Sequence, residues 1–310
     1  LSYRGERGQK GKRLFDEHRK KDLYWLTGIG DRPYNTSYQL YYMTQTKDPF
    51  LEAGDSLLFI PDLLAYFLTG NAFCDKSIAS PGQVISLSET DWQQEVLELL
   101  EIRREKMPEL RECGAYRGEI LPDIASACGL PKGTDLAFSV HDTAAALEAI
   151  PSAEEQYAFI SSGTWSLMGI TSNVPKLNHL THSCAFSNIC TLDDRFMILK
   201  NIMGMWVLQC CKRDWELESG KTLTWDEVVL AVEEVQSHSY IDINDDLFFH
   251  DGNMVKRIQS FCESTGQPSP QIPAEAVRIV MESLAMSYRE TFLELLELSE
   301  NGIHSLHIVG

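Results

Sequence analysis

The stretch from Ser139 to Gly169 constrains this chain most: S-V-H-D-T-A-A-A-L-E-A-I-P, a short acidic spacer, then Y-A-F-I-S-S-G-T-W-S-L-M-G. Ala137 to Val140 reads as a short buried strand. Ala144 to Ala149 reads as a helix closed by Pro151, so His141, Asp142 and Thr143 fall on a tight strand-to-helix turn. Asp142 or Thr143 in that place is a helix cap, or Asp142 is a carboxylate held ionised at a helix start and able to take a proton from a hydroxyl. The two roles are compatible.

Further on, Tyr157 to Ile160 and Trp165 to Ile170 read as the strands of a hairpin. Ser161-Ser162-Gly163-Thr164 is its turn, with Gly163 placed to supply a positive φ. As a turn it needs no function. Small residues, exposed amides and three hydroxyls also suit a phosphate cradle.

Three blocks in order carry a family resemblance: H-D-T-A-A-A at 141–146, S-S-G-T-W-S-L-M-G at 161–169, and L-K-N-I-M-G-M-W-V-L-Q at 199–209. Together with Tyr3-Arg4, the T-G-I and N-T-x-Y-Q-L blocks at 27–40 and P-D-L-L-A-Y-F-L-T-G at 61–70, they resemble the FGGY carbohydrate kinases, in their rhamnulokinase branch. The likeness covers nearly the whole chain, weakly at 94–136 and after Arg213. It implies an α/β protein of two actin-like, ribonuclease-H-like domains with sugar in an interdomain cleft, both domains incomplete in this chain. Residues 1–136 would be the later part of the sugar-side domain and 137–310 the earlier part of the nucleotide-side domain. The family's N-terminal phosphate-binding loop and C-terminal glycine-rich adenine region are expected to lie outside the sequence.

Residue by residue, the resemblance makes Asp142 the catalytic base and gives sugar contacts to His141, Asp142, Thr143 and Asn201. Gly163, Thr164 and Gln209 would contact ATP, with Mg²⁺ as the accompanying ion. It implies transfer of the γ-phosphoryl group to the primary hydroxyl of a ketose, L-rhamnulose the first candidate. The alternatives are another ketose, L-fuculose or a xylulose, and a sugar-binding protein that has lost kinase activity. From its residues alone, His141 reads equally as a satisfied strand-end histidine. Two departures from the family pattern stand out: Gly5 replaces an acid, and Ile189-Cys190-Thr191 replaces Glu-Gly-Gly.

Composition sets the partners. A net charge of −18 repels nucleic acid and anionic membranes over most of the surface, while amides and Mg²⁺ can still bind ATP within a cleft. The expected partners are a small sugar and ATP, in a monomer or homodimer. Eight scattered cysteines without C-x-x-C read as reduced thiols of a cytoplasmic protein. His179, His182, Cys184 and Cys190 match no zinc spacing, and both histidines read as surface loop residues. A serine hydrolase using Ser161 or Ser162 lacks a G-x-S-x-G elbow.

Along the chain, Leu1 to Arg7 reads as the end of a strand running into a basic loop, and Ser77 to Ile85 as a loop between domain faces. Helices are expected at Tyr34 to Met43, Asp62 to Leu68, Trp92 to Leu100, Thr224 to Val235 and from Pro273 to Asn301. Asn35 and Gln39 read as cap and helix face. Asn201 to Trp206 reads as a turn and helix. If one helix spans Asn201 and Gln209, the two stand about 80° apart around it and border one cleft. Ile303 to Val309 reads as a buried strand.

Overall fold

The computed structural model describes residues 5–88, 91–137, 140–151 and 156–310. The chain divides into two compact units, Leu1–Pro151 with Ile170–Leu199, and Ser152–Gly169 with Lys200–Gly310.

The first unit is built on glycine. In the Glu6–His18 helix, Gly8 and Gly11 recur on one face, and a Cβ there would lie 2.1 Å from the Pro33 carbonyl oxygen and 1.9 Å from that of Tyr38. Only a residue without a side chain lets this helix settle so closely on the Thr36–Gln45 helix. Phe15 then meets Tyr38 and Tyr41 edge-on at 5.5 and 5.2 Å, in a core continued by Val84, Ile85, Trp92, Val96, Leu97 and Leu100. The basic loop expected to run up to Arg7 is instead helical from Glu6, with Gly5 as its N-cap. Tyr3 and Arg4 lie outside the described residues.

The Ile60–Thr69 helix begins with Pro61 in its first turn and stops at Gly70 in the left-handed region, as its sequence suggests. The loop expected at Ser77 to Ile85 is instead the Lys76–Ala79 helix followed by a 3₁₀ turn at Ser80–Gly82. Its polar residues are packed inside: Ser77, Ser80 and Gln83 are buried. Asn35, at the N-cap position, and Gln39, on the helix, are also buried. Asn35 makes no side-chain cap and donates to the Gly30 carbonyl at 3.0 Å, and Gln39 donates to Tyr34 O at 3.3 Å.

Nine strands occur among the described residues: β1 Phe73–Asp75, β2 Glu109–Arg111, β3 Gly118–Glu119, β4 Asp135–Leu136, β5 Tyr157–Ser162, β6 Trp165–Ser172, β7 Ser187–Cys190, β8 Phe196–Met203 and β9 Ser305–Val309. β1 pairs parallel with β2, and β3 antiparallel with β4. The remaining five are hydrogen-bonded in the order β7-β8-β6-β5-β9. Of the strand expected at Ala137 to Val140, Phe138 and Ser139 lie outside the described residues, and Ala137 and Val140 carry no strand pairing.

In the first unit β7 runs antiparallel to β8, Ser187 opposite Leu199 and Cys190 opposite Phe196. In the second, β5 runs parallel to β9 from Tyr157 opposite Ser305 to Ser161 opposite Val309. β9 is not a buried strand: it is an edge of its sheet, and Leu306 and Ile308 are 45% and 68% exposed. The second unit's core gathers Phe159, Ile160, Val207, Leu208, Phe248, Ile258, Val277, Ile279, Val280 and Leu295. Most of these come from β5 and from the Met205–Ser219, Met254–Ser264 and Pro273–Leu298 helices. Thr224 and Glu227 form a reciprocal capping box at the Trp225–Glu233 helix. Among the described residues no helix is long and apolar enough to cross a membrane.

Candidate active site

The Asp142–Glu148 helix is capped by the residue before the acid. His141 is its N-cap, and His141 Nδ1 accepts from the Thr143 amide at 3.1 Å. The same N–H reaches Asp142 Oδ1 at 2.7 Å, so one proton is shared between the ring nitrogen and the carboxylate. This replaces the expected Asp142 or Thr143 cap. Nδ1 also stands 3.1 Å from Asp142 Oδ1; assigned as the acceptor of the cap, it leaves the ring proton on Nε2 and makes that atom a donor. Burial holds the His141 pKa below its ordinary value against the pull of Asp142 and Asp75, which keeps the ring neutral at neutral pH.

Asp142 itself is 95% exposed, its side chain open to solvent. Thr143 is buried and turns its hydroxyl to Asp142 Oδ1 at 3.4 Å. The backbone before the acid is anchored, since the His141 amide donates to Ser77 Oγ at 2.9 Å across 64 residues of sequence.

The Ser161–Thr164 bend has a different support. Gly163 donates its amide to Trp165 O at 2.8 Å and does not take the positive φ expected of it. That amide is therefore spent inside the bend. The carbonyls of Gly163 and Thr164 accept from Met205 N at 3.0 Å and Trp206 N at 3.3 Å, the first amides of the Met205–Ser219 helix. A Cβ on Gly204 would lie 2.6 Å from Ser166 Oγ and 2.7 Å from Ser166 N, so only glycine permits this approach. Ser166 in turn shares a 2.5 Å hydrogen bond with the Tyr288 hydroxyl. Gly163 and Thr164 are exposed, Ser161 and Ser162 half-buried. From Tyr157 to Ser172 the sequence carries no charged side chain.

Asn201 and Gln209 are not on one helix. Asn201 belongs to β8 and Gln209 to the Met205–Ser219 helix, with Gly204 breaking the backbone direction between them, so the 80° relation does not apply. Both are partly exposed and belong to the same unit as the bend, whereas His141, Asp142 and Thr143 belong to the other.

The segment that departs from the family pattern is a core strand. Asn188 is fully buried, accepting from Lys176 N at 2.6 Å and donating to Gly28 O at 3.1 Å. Ile189, Cys190 and Thr191 are buried beside it, and burial pushes the Cys190 thiol up to about 11. The histidines expected in a loop lie in the His179–Ser183 helix, opened by an Asn178/Thr181 capping box. His182 is half-buried, paired with Asp22 at 2.7 Å and stacked on Trp25 at 5.1 Å. Among the described residues no group of three or more His, Cys, Asp or Glu is arranged to hold a metal ion.

Sequence reading missed Asp75 and Ser77 at this site, although D-x-S ahead of a short helix is an N-cap signature. It also missed Tyr288, which nothing local marks.

The model of the FGGY family N-terminal domain matches residues 8–149, and that of the C-terminal domain matches 158–310. A rhamnulokinase from Bacteroides thetaiotaomicron is 32% identical over 298 residues, 96% of this chain and 60% of its own length. One from Pectobacterium atrosepticum is 35% identical over 294 residues, 94% of this chain and 57% of its own. The chain thus spans about 60% of the length of the curated relatives it matches. Among solved structures, a ligand-bound xylulose kinase from Lactobacillus acidophilus has a TM-score of 0.74 at 14% identity, covering 99% of this chain and 62% of that one. The glycerol kinase of Plasmodium falciparum with ADP has a TM-score of 0.67 at 14% identity, covering 96% of this chain and 61% of that one. The fold class is α/β, with the actin-like, ribonuclease-H-like domains of the sugar kinases. Two domain models that together take in most of the sequence, with relatives at 32 and 35% identity, make this chain a member of the FGGY family of carbohydrate kinases.

Proposed function

We propose that the whole protein is an ATP-dependent ketose kinase that converts L-rhamnulose to L-rhamnulose 1-phosphate. The observation that carries this reading is the open Asp142 carboxylate, with one oxygen tied to the Thr143 amide and the backbone before it anchored. In the reaction the sugar's primary hydroxyl oxygen bonds to the γ-phosphorus, the bond from that phosphorus to the bridging oxygen of ADP breaks, and the hydroxyl proton passes to Asp142. Phosphoryl transfer needs mainly such positioning and charge neutralisation.

His141 serves this reading through Nε2–H, a neutral donor to a sugar hydroxyl. Thr143, buried, acts through the carboxylate it faces. Asn201 is assigned to the sugar, and Gly163, Thr164 and Gln209 to ATP. The bend fits a polyphosphate in one respect: its strands carry no side-chain charge to oppose the anion. Mg²⁺, if carried in by the nucleotide, would supply charge neutralisation at the phosphates.

Replacing Asp142 by Asn in the whole protein is expected to lower kcat by about 10²- to 10⁴-fold with sugar affinity largely kept, measured by coupled ADP release and sugar titration. Unchanged turnover would refute the assignment. The Ile189-Cys190-Thr191 departure favours a second reading, the same transfer on L-fuculose or a xylulose, which a panel of ketoses separates by kcat/KM. Sugar binding without ADP release on any of them would point to a binding protein that has lost its kinase activity.

A further inference from the structure

The exposed Asp142 side chain has little packing to hold it, so its place depends on its backbone. That backbone is fastened one residue earlier, at the His141 amide, to Ser77 Oγ. The amide can only donate; the rotamer of the serine hydroxyl that receives it is fixed by what lies beneath. Ser77 has one hydroxyl proton, and it goes to Asp75 Oδ1, a carboxylate oxygen that can only accept. What the Ser77 oxygen presents to His141 is therefore a lone pair, with no competing rotamer.

Asp75 is fully buried and held on every side. Its Oδ1 also accepts from Ser77 N at 2.8 Å, and its Oδ2 accepts from Gly114 N at 3.1 Å and stands 3.4 Å from Arg117 Nη2. Arg117, 2% exposed, reaches Asp62 Oδ1 at 3.0 Å with the same nitrogen, and the Asp75 amide donates to that oxygen at 3.1 Å. Two carboxylates and one guanidinium are thus withdrawn from water beneath a single serine. Burying such charges is costly, and apolar residues would fill the space more cheaply, so the arrangement calls for a role beyond packing.

We propose that Ser77, oriented by Asp75, is a positioning residue that holds the Asp142 carboxylate in register for transfer; this rests on the kinase reading above. Neither residue touches substrate, since both are fully buried.

The test is Ser77→Ala in the whole protein, beside Asp142→Asn. A displacement of about 1 Å at a reacting group costs up to about 100-fold, so kcat is expected to fall about 10- to 100-fold while the sugar KM stays within about threefold. Ser77→Thr, which keeps the hydroxyl, is expected to restore most of kcat. Hydrogen exchange at the His141 amide should quicken in Ser77→Ala, with that of β5 and β9 unaltered. Full kcat in Ser77→Ala beside a crippled Asp142→Asn overturns the proposal alone. Full kcat in Asp142→Asn removes the kinase reading and the proposal with it. A Ser77→Ala protein that does not fold is replaced by Ser77→Cys, whose thiol nearly keeps the volume but is a weak acceptor. The same split of kcat from KM then supports the proposal, and unchanged kcat overturns it.

Discussion

The turn that carries Asp142 and the bend at Ser161–Thr164 are both short, small-residue connections, yet they are held by opposite means. The first hangs from buried side chains: His141 N on Ser77, Ser77 on Asp75, and Asp75 with Asp62 on Arg117. The second is held by main chain, with Met205 and Trp206 amides on the Gly163 and Thr164 carbonyls and Gly204 pressed against Ser166. A support made of side chains can be cut by one remote substitution. A support made of backbone tolerates changes of side chain and fails only where added atoms block the close approach.

The largest stability effect is expected in the first region. Arg117→Met leaves Asp62 and Asp75 buried without their cation and should cost about 3–5 kcal/mol in denaturant unfolding. A cost under about 1 kcal/mol would mean the aspartates do not depend on the guanidinium, and the contrast would collapse. Next comes Gly204→Ala, whose Cβ would meet Ser166 Oγ at 2.6 Å, Ser166 N at 2.7 Å and Trp165 C at 2.8 Å. Two of these atoms are backbone and cannot swing aside, so a loss of about 1–3 kcal/mol is expected, with faster hydrogen exchange at the Met205 and Trp206 amides. Wild-type stability and exchange would show that the bend does not need the close approach. The smallest effect is Tyr288→Phe, which removes one hydroxyl bonded to Ser166 and should cost about 1 kcal/mol. A loss exceeding that of Arg117→Met would invert the comparison, making the bend the side-chain-dependent region.

Much of the scaffold was readable because its signals are local. Gly28 and Gly70 stop helices in the left-handed region, Pro61 and Pro273 open them, Thr224 caps one, and two apolar runs either side of a small-residue turn mark β5 and β6. Other readings failed where a distant partner decided the outcome. Ser77 to Ile85 looks like a loop because nothing nearby shows that Asp75 will cap a helix there and that the serines will be buried. Asn201 looks helical beside Gly204 and Met205, but its place in β8 is set by pairing in a sheet. β7, with Asn188 clamped between Gly28 and Lys176, carries no alternation to announce it.

The sequence by itself determined which residue types were available to the site, an acid at a helix start and an uncharged small-residue bend, since capping and turn formation act within a few residues of the chain. Only the tertiary structure decided that the acid stands in solvent on a backbone tied to Ser77. The reason is physical: hydrogen bonds between groups 64 residues apart exist only once the intervening chain has packed, and no local pattern encodes them.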